Sequence, residues 1–221
     1  MRNLSGYVIM GQPISIASRC RDLGIMVDSK LRFHVHIDGI VGKVGAMMSN
    51  LLRSTICRSK EFMVKLWVSH IRPLMEYGSC VWNVGYLGDV RRLESLQRRW
   101  TREVQGMVGL EYVTRLRRLG LFSIKGRLLR IDLVKIWKAF HADVDVGLRE
   151  LFEMARSRDT RGHRLKMAFP ICRSEMGRRT FAVRCINIWN ALPASIVEQS
   201  NAESYKRQLD MFLEDRLFTP G

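Results

Sequence analysis

The sequence predicts a mainly α-helical protein with a small β-hairpin element at its N-terminus. Two observations carry this. From Val35 onward apolar residues recur at spacings of three and four, the period of an amphipathic helix. The first 33 residues instead hold short β-prone runs cut by glycine, proline and serine.

In order, Tyr7–Met10 reads as a short strand ending at a Gly11-Gln12-Pro13 turn, followed by Ile14-Ser15-Ile16. Asp22-Leu23-Gly24-Ile25-Met26-Val27 suits a short buried strand, and Ser29-Lys30 a turn before Leu31 and Phe33. Ile37, Ile40, Val41, Val44, Met47, Met48, Leu51 and Leu52 then predict a long helix. Glu61 to about Met75 repeats the period through Phe62, Leu66, Trp67 and His70 until Pro73 interrupts it. A segment rich in glycine and aromatic residues, Gly78 to Leu87, leads into the next helix.

That helix, Asp89 to Met107, concentrates the charge. Val90, Leu93, Leu96, Trp100, Val104 and Met107 share about a third of its circumference. Arg91, Arg92, Arg98, Arg99 and Arg102 take the opposite side, and the planar guanidinium suits phosphate better than a lysine ammonium does. A solvated face that keeps the protein in solution is the plainer reading of such a helix taken alone. Glu111–Leu119 and Gly126–Phe140 are further helices joined at Gly120, Asp143 to Gly147 a turn, and Leu148–Ala155 a short helix. Ser157–Gly177, with Gly162 and Pro170, breaks the period and reads as a linker or a strand-and-loop insertion. Helical pattern resumes from Phe181 to Trp189 and stops at Leu192-Pro193; a last helix runs from Ala202 to Leu217, with Ser200 or Asn201 as N-cap.

The formal net charge of +16 is clustered. Residues 90–135 hold twelve Lys/Arg against four Asp/Glu, and residues 156–184 nine against two, together 15 of the 16 charges. Clustering of this kind points to a polyanion, either nucleic acid or an anionic membrane surface. The membrane reading is the weaker, because the apolar face of 90–107 is needed by neighbouring helices. Five dispersed cysteines with no C-x-x-C pair support neither a zinc knuckle nor a disulfide framework, and fit a reducing intracellular compartment. No run reaches the ~18 apolar residues of a membrane span, and the N-terminus lacks a signal-peptide pattern.

Among single residues, Gly24 marks either a bulge or turn, or a place where the backbone passes close to a nucleic-acid strand. His34 and His36 lack partners at ligand spacing and read as structural, so no metal site is nominated. His163 reads as a phosphate contact or simply as an exposed loop residue. Trp67, Trp100, Trp137 and Trp189 fall in apolar stripes and read as core, with Trp82 less clearly placed. No nucleotide-binding glycine loop and no nucleophile–base set is present in the pattern.

Several blocks in order resemble a known family. Arg21-Asp22-Leu23-Gly24 through Asp28, Leu31 and Phe33 to His36-Ile37 resembles the DLG-to-HI block of non-LTR retrotransposon (LINE, jockey-like) reverse transcriptases. Arg72-Pro73-Leu74-Met75-Glu76-Tyr77-Gly78-Ser79-Cys80-Val81-Trp82 is similar to the family's RP-x-LEY-x-S-x-VW block. Leu93-Glu94-Ser95-Leu96-Gln97-Arg98-Arg99 resembles its LE-x-VQRR, Thr160-Arg161-Gly162-His163 its TRGH, and Asn187-Ile188-Trp189-Asn190-Ala191-Leu192-Pro193 its N-x-WN-x-LP.

The resemblance implies the region after the catalytic palm. The family's paired aspartates lie upstream of the DLG block, and the adjacent acidic pair here, Glu214-Asp215, sits at a solvated helix end. It implies a primer-grip-like β element over residues 1–33 carrying Asp22, Leu23 and Gly24. A thumb-like and basic helical region would follow over 34–156, an irregular basic linker over 157–178 and C-terminal helices over 179–221. Nucleic acid would be held by Arg91, Arg92, Arg98, Arg99, Arg102, Lys125, Arg127, Arg130, Arg161, Arg164, Lys166, Arg178 and Arg179. No catalytic residue or cofactor is expected in this chain; the parent enzyme would use a divalent metal, magnesium. Partners would be RNA or DNA and the upstream palm and fingers, with no membrane, in nucleus and cytoplasm. The competing expectation is a decayed element whose helical remnant serves protein interaction or nothing.

Overall fold

The computed structural model describes residues 7–13, 17–141, 146–155 and 162–221, and it is mainly α-helical with short antiparallel hairpins ahead of the helices. β1 (Val8–Ile9) pairs with β2 (Gln12–Pro13) around Met10-Gly11, so Gln12 and Pro13, expected in a turn, form the return strand. The expected Ile14-Ser15-Ile16 run lies outside the described residues.

The stretch from Asp22 to Val27 is not the single buried strand expected. β3 (Arg19–Asp22) and β4 (Ile25–Asp28) form a hairpin in register Asp22↔Ile25, and the chain reverses at Leu23-Gly24. Both turn residues have positive φ, 44° and 85°, as a two-residue hairpin turn matching strand twist requires. Glycine takes this freely, whereas Leu23 is strained there by ~1 kcal/mol. All of β3 is exposed, and Ile25 is the buried residue of β4. The turn expected at Ser29-Lys30 is present, held by Asp28, whose carboxylate accepts from Lys30 N–H at 2.8 Å and Phe33 N–H at 3.0 Å.

α1 (His34–Ser54) follows the expected period and buries Ile37, Ile40, Val44 and Met48. Its last carbonyls are met by Arg58, which donates to Leu52 O at 2.7 Å and Thr55 O at 2.6 Å, a cationic C-cap. Pro73 does not end the next helix. α2 (Lys60–Leu66) runs through a π-helical turn, Trp67–Ile71, into α3 (Arg72–Glu76). Arg72 N–H bonds back to Trp67 O, so the widened turn absorbs the break in hydrogen bonding just before the proline, which then sits in the first turn of α3. α4 (Ser79–Trp82) is a single turn inside the aromatic segment.

α5 (Leu87–Arg102) ends five residues before the expected Met107. Val104 and Met107 are buried as the periodicity requires, but in the turns after the helix, where Gln105 N–H bonds Arg58 O at 2.8 Å. α6 (Tyr112–Leu119) and α7 (Ile124–His141) stand as expected. α8 (Val146–Arg149) is shorter than the helix expected to reach Ala155. Met154 there pairs with Met167, with Ala155 N–H to Lys166 O at 2.9 Å and Ala168 N–H to Glu153 O at 2.8 Å.

The remaining helices are α9 (Glu175–Arg179), α10 (Phe181–Arg184), α11 (Ile186–Asn190), α12 (Ala194–Val197), α13 (Ala202–Phe212) and α14 (Glu214–Phe218). Asn201 caps α13, accepting from Ser204 N–H at 2.8 Å. The expected 202–217 helix is therefore broken at Leu213, and the 181–189 helix at Cys185.

Two apolar clusters fill the interior. The first joins β4 to α1–α6 and the first turns of α7; the second joins the rest of α7 to Phe152, Met167 and α10–α14. α7 contributes Ile124 and Leu128 to one and Leu133, Ile136 and Trp137 to the other. All three segment boundaries drawn from the sequence, after residues 33, 156 and 178, therefore have residues of one packed cluster on both sides. The described part of 157–178 is a packed hairpin-like loop with Met167 buried, not an open linker, because Met167 is needed to cover the second core. All five tryptophans are buried, Trp82 included, and the indole N–H groups of Trp82, Trp100, Trp137 and Trp189 reach carbonyls, that of Trp189 reaching Leu165 O at 2.7 Å.

Candidate nucleic-acid interface

The basic surface is built on α5. Its inner face buries Val90, Leu93, Leu96 and Trp100, which turns the arginines outward. Both of its carboxylates are kept from open solvent. Glu94 is 1% exposed, and Asp89 is engaged by His34 at 2.7 Å and Arg92 at 3.7 Å. The outer face is left with cations.

These cations divide by environment. Arg92 pairs with Asp38 of α1, and Arg99 reaches Gly45 O at 3.5 Å, so both lean toward α1 while remaining exposed. On the other flank the Arg98 guanidinium lies 4.1 Å over the Tyr112 ring. Beneath it Arg115 of α6 is buried, donating to Thr101 Oγ1 at 3.1 Å and Leu110 O at 2.8 Å. Burial, with Arg102 and Arg98 nearby, lowers the Arg115 pKa below the usual arginine range. Arg91 and Arg102 are exposed and hold no ion pair among the described residues. Arg117 and Arg118 of α6 are also exposed. The sequence pattern does not single these two out, although they fall within the same basic window.

Other expected contacts are placed differently. Lys125 is exposed on the first turn of α7. Arg127 grips Glu76 of α3 through two bonds of 2.6 and 3.3 Å, and Arg130 pairs with both oxygens of Asp210 on α13. Both guanidiniums are half-buried struts between helices, held by carboxylates of the fold rather than turned freely to solvent. Arg179 is likewise internal in role, bonded to Glu175 at 2.7 Å and Val84 O at 3.3 Å, with its guanidinium 4.6 Å from the Tyr86 ring centre. Arg164 and Arg178 are exposed, Lys166 is half-buried and Arg161 lies outside the described residues. His163, read as phosphate contact or surface, is buried edge-on to Trp189 and hydrogen-bonds its carbonyl at 3.0 Å.

Asp22, Leu23 and Gly24 form the tip of the β3–β4 hairpin and lie away from the arginines of α5 in sequence and element. Leu23 is 82% exposed, and its carbonyl accepts from Tyr77 Oη–H at 2.9 Å, which fixes the tip to the end of α3. Among the described residues no group of three or more His, Cys, Asp or Glu could hold a metal ion. No described helix is long and apolar enough to cross a membrane.

A helix that turns several guanidinium groups to solvent and shields its carboxylates can bind phosphates of a polyanion without reading base identity. Comparison with models of known protein families, with curated proteins and with solved structures finds no match to this chain.

Proposed function

We propose that this chain is a non-catalytic portion of a LINE-type reverse transcriptase that lies after the palm and binds RNA or primer–template nucleic acid through the face of α5. The observation that carries this is the composition of that face. Arg91, Arg99 and Arg102 are exposed on it, Arg92 and Arg98 flank it, and neither α5 carboxylate opens to solvent. Lys125, Arg164 and Arg178 extend the basic character; Arg127, Arg130 and Arg179 do not contribute, being engaged internally. The ordered sequence blocks supply the family, whose polymerisation chemistry and magnesium belong to paired aspartates upstream. In that setting the exposed β hairpins face the palm of the full-length enzyme, which acts in nucleus and cytoplasm.

Binding that rests on phosphate is weakly sequence-specific and salt-dependent. With about four phosphates neutralised, a fourfold rise in salt lowers affinity about a hundredfold. Fluorescence anisotropy of the chain against RNA, duplex DNA and RNA–DNA hybrid at two salt concentrations tests this. Steep salt dependence supports the proposal. Absence of binding to all three at low salt overturns it and leaves a helical remnant.

A further inference from the structure

Three arginines crowd the junction of α3 with α7, and two carboxylates answer them. Arg130 is matched by Asp210, whereas Arg72 and Arg127 share Glu76. Arg127 takes Glu76 with Nε and Nη2, at 2.6 and 3.3 Å; Arg72 reaches it through Nε alone, at 3.5 Å. One positive charge is left unbalanced there. Burial lowers the Arg72 pKa, and Arg127 and Arg130 lower it further against Glu76.

Arg72 and Arg127 both line a pocket of about 80 Å³ that is also bordered by Gln97 of α5 and by the loop joining α6 to α7. Trp67 and Leu121 give it apolar walls, and no acidic side chain lines it. Among the described residues both terminal nitrogens of Arg72 and Nη1 of Arg127 lack an acceptor. The Arg72 side chain is 27% exposed, and none of the three nitrogens is both buried and unpaired, so solvent reaches them. The N–H of Phe122, which lines the pocket from the α6–α7 loop, likewise has no acceptor among the described residues.

The volume is far below the ~300–1,000 Å³ of drug-sized ligand pockets and leaves no room for a base or a ribose. It suits an anion of a few heavy atoms, and guanidinium groups bind such oxyanions through charge-assisted hydrogen bonds. Here the free donors come from α3, α7 and the α6–α7 loop. The oxygens of a tetrahedral anion diverge toward all three, whereas those of a carboxylate lie in one plane. We propose that this pocket binds a single phosphate group, held by Arg72, Arg127 and the Phe122 N–H. Size restricts the ligand to a phosphate with at most one ester, either inorganic phosphate or the terminal phosphate of a nucleic-acid strand. The site stands on the pocket and does not use the outer face of α5; the strand-end source alone rests on the proposed nucleic-acid function.

The test is a titration of the full chain with inorganic phosphate and with acetate at constant ionic strength, followed by NMR of the Phe122 amide and the Arg72 Nε–H. Phosphate is expected to shift both signals to saturation and to bind at least tenfold more tightly than acetate. Arg72→Gln leaves Glu76 paired with Arg127, and should keep the fold by circular dichroism while weakening phosphate at least tenfold at the Phe122 amide. Arg72→Lys should fall between. Arg91→Ala with Arg102→Ala should leave the phosphate shifts unchanged even where oligonucleotide binding is lost, so the two proposals fail separately. Oligonucleotides differing only in a 5′-phosphate or 5′-hydroxyl then identify the source. An Arg72-dependent preference for the 5′-phosphate supports the site and assigns the strand end. Arg72-dependent binding of inorganic phosphate without that preference supports it and assigns the free anion. Absence of shifts at millimolar phosphate, equal affinity for acetate, or undiminished phosphate binding by Arg72→Gln overturns the inference.

Discussion

Glu94 of α5 caps a helix that begins thirty residues later: its Oε1 accepts the N–H of Ile124 at 3.2 Å, and its Oε2 that of Lys125 at 3.4 Å. The same carboxylate shares the single Tyr112 hydroxyl proton with Gln97 Oε1, which lies 2.8 Å from that oxygen, and Gln97 in turn donates to Phe122 O at 3.2 Å. Burial and the neighbouring Glu94 charge push the Tyr112 phenol far above its ordinary pKa, so it remains a donor. Glu94 and Gln97 thus lock α5, α6 and α7 together. Glu94→Ala strands the Ile124 and Lys125 N–H groups, leaves Tyr112 only its Gln97 acceptor and removes a cap, and should cost ~2–4 kcal/mol in urea unfolding, with Glu94→Gln intermediate. An unchanged midpoint for Glu94→Ala would show that the network adds nothing.

The arginines that look alike in sequence should separate on substitution. Arg91→Ala and Arg102→Ala are expected to leave stability within ~0.5 kcal/mol and to reduce the salt slope of nucleic-acid binding by about 1 for each phosphate no longer neutralised. Arg127→Ala leaves Glu76 half-buried with only the 3.5 Å pairing to Arg72. It should lower stability by ~1–2 kcal/mol and leave the salt slope unchanged.

Stability should decline on mild acidification. His36 and His163 both have pKa values lowered by burial, the former also by Lys43 and Arg21, the latter by Lys166 against the opposing Trp189 carbonyl and Glu198. Below the unfolded value of about 6.5 the unfolded chain takes up protons that the folded chain refuses. The stability these residues contribute is therefore complete above that pH. It falls as pH drops, by up to ~1.4 kcal/mol per unit per histidine, until the lowered folded value is reached. Chemical denaturation at pH 7, 6 and 5 reads this directly, and a flat profile would contradict it.

The thiols should differ sharply in reactivity. Cys80, pushed up to about 11 by burial and Asp132, and Cys185, raised well above 9.0 for the same reasons, each donate to Asp132, at 3.5 and 3.6 Å. Asp132 is simultaneously held by two Arg184 bonds of 2.9 Å. Cys57 is exposed, and its hydrogen bond to Ser59 lowers its pKa. At pH 8 a disulfide reagent followed by peptide mapping should label Cys57 and the exposed Cys20 in the folded protein, with Cys80 and Cys185 labelled only on unfolding.

Two glycine-to-alanine changes should have opposite signs. Gly39→Ala adds a methyl to open space within α1 and should stabilise by ~0.5–1 kcal/mol. At Gly126 the new Cβ would sit 2.3 Å from Leu217 O, a backbone atom, so the α7–α14 packing must open. A loss of ~1–3 kcal/mol is expected for Gly126→Ala in thermal melts.

Helix identity was readable wherever one face is apolar, as in α1, α5, α7 and α13, because burial enforces that period. Helix ends were less so. Val104 and Met107 keep the spacing of α5 although the chain has left the helix, and Pro73 reads as a break unless the π turn before it is known. The outward face of α5 was legible from Arg91 and Arg102. The roles of Arg127 and Arg130 were not, since their partners Glu76 and Asp210 lie 51 and 80 residues away and leave no local pattern; Arg179 does have a local partner, Glu175 four residues before it, but its contact to the Val84 carbonyl spans 95 residues.

The N-terminus of α7 has a second partner besides Glu94. Ser123 caps it, receiving Gly126 N–H at 3.0 Å, while the single Ser123 hydroxyl proton is shared between Leu217 O and Thr219 O, 3.0 and 2.9 Å away. The helix shared by both cores is thus closed by residues more than ninety positions later. During synthesis the first core can begin to pack once α6 has emerged, but the shared helix keeps a loose end until α14 arrives. The apolar face of α7 that packs on the second core therefore stays uncovered, open to chaperones, from the synthesis of α7 until α13 and α14 have been made.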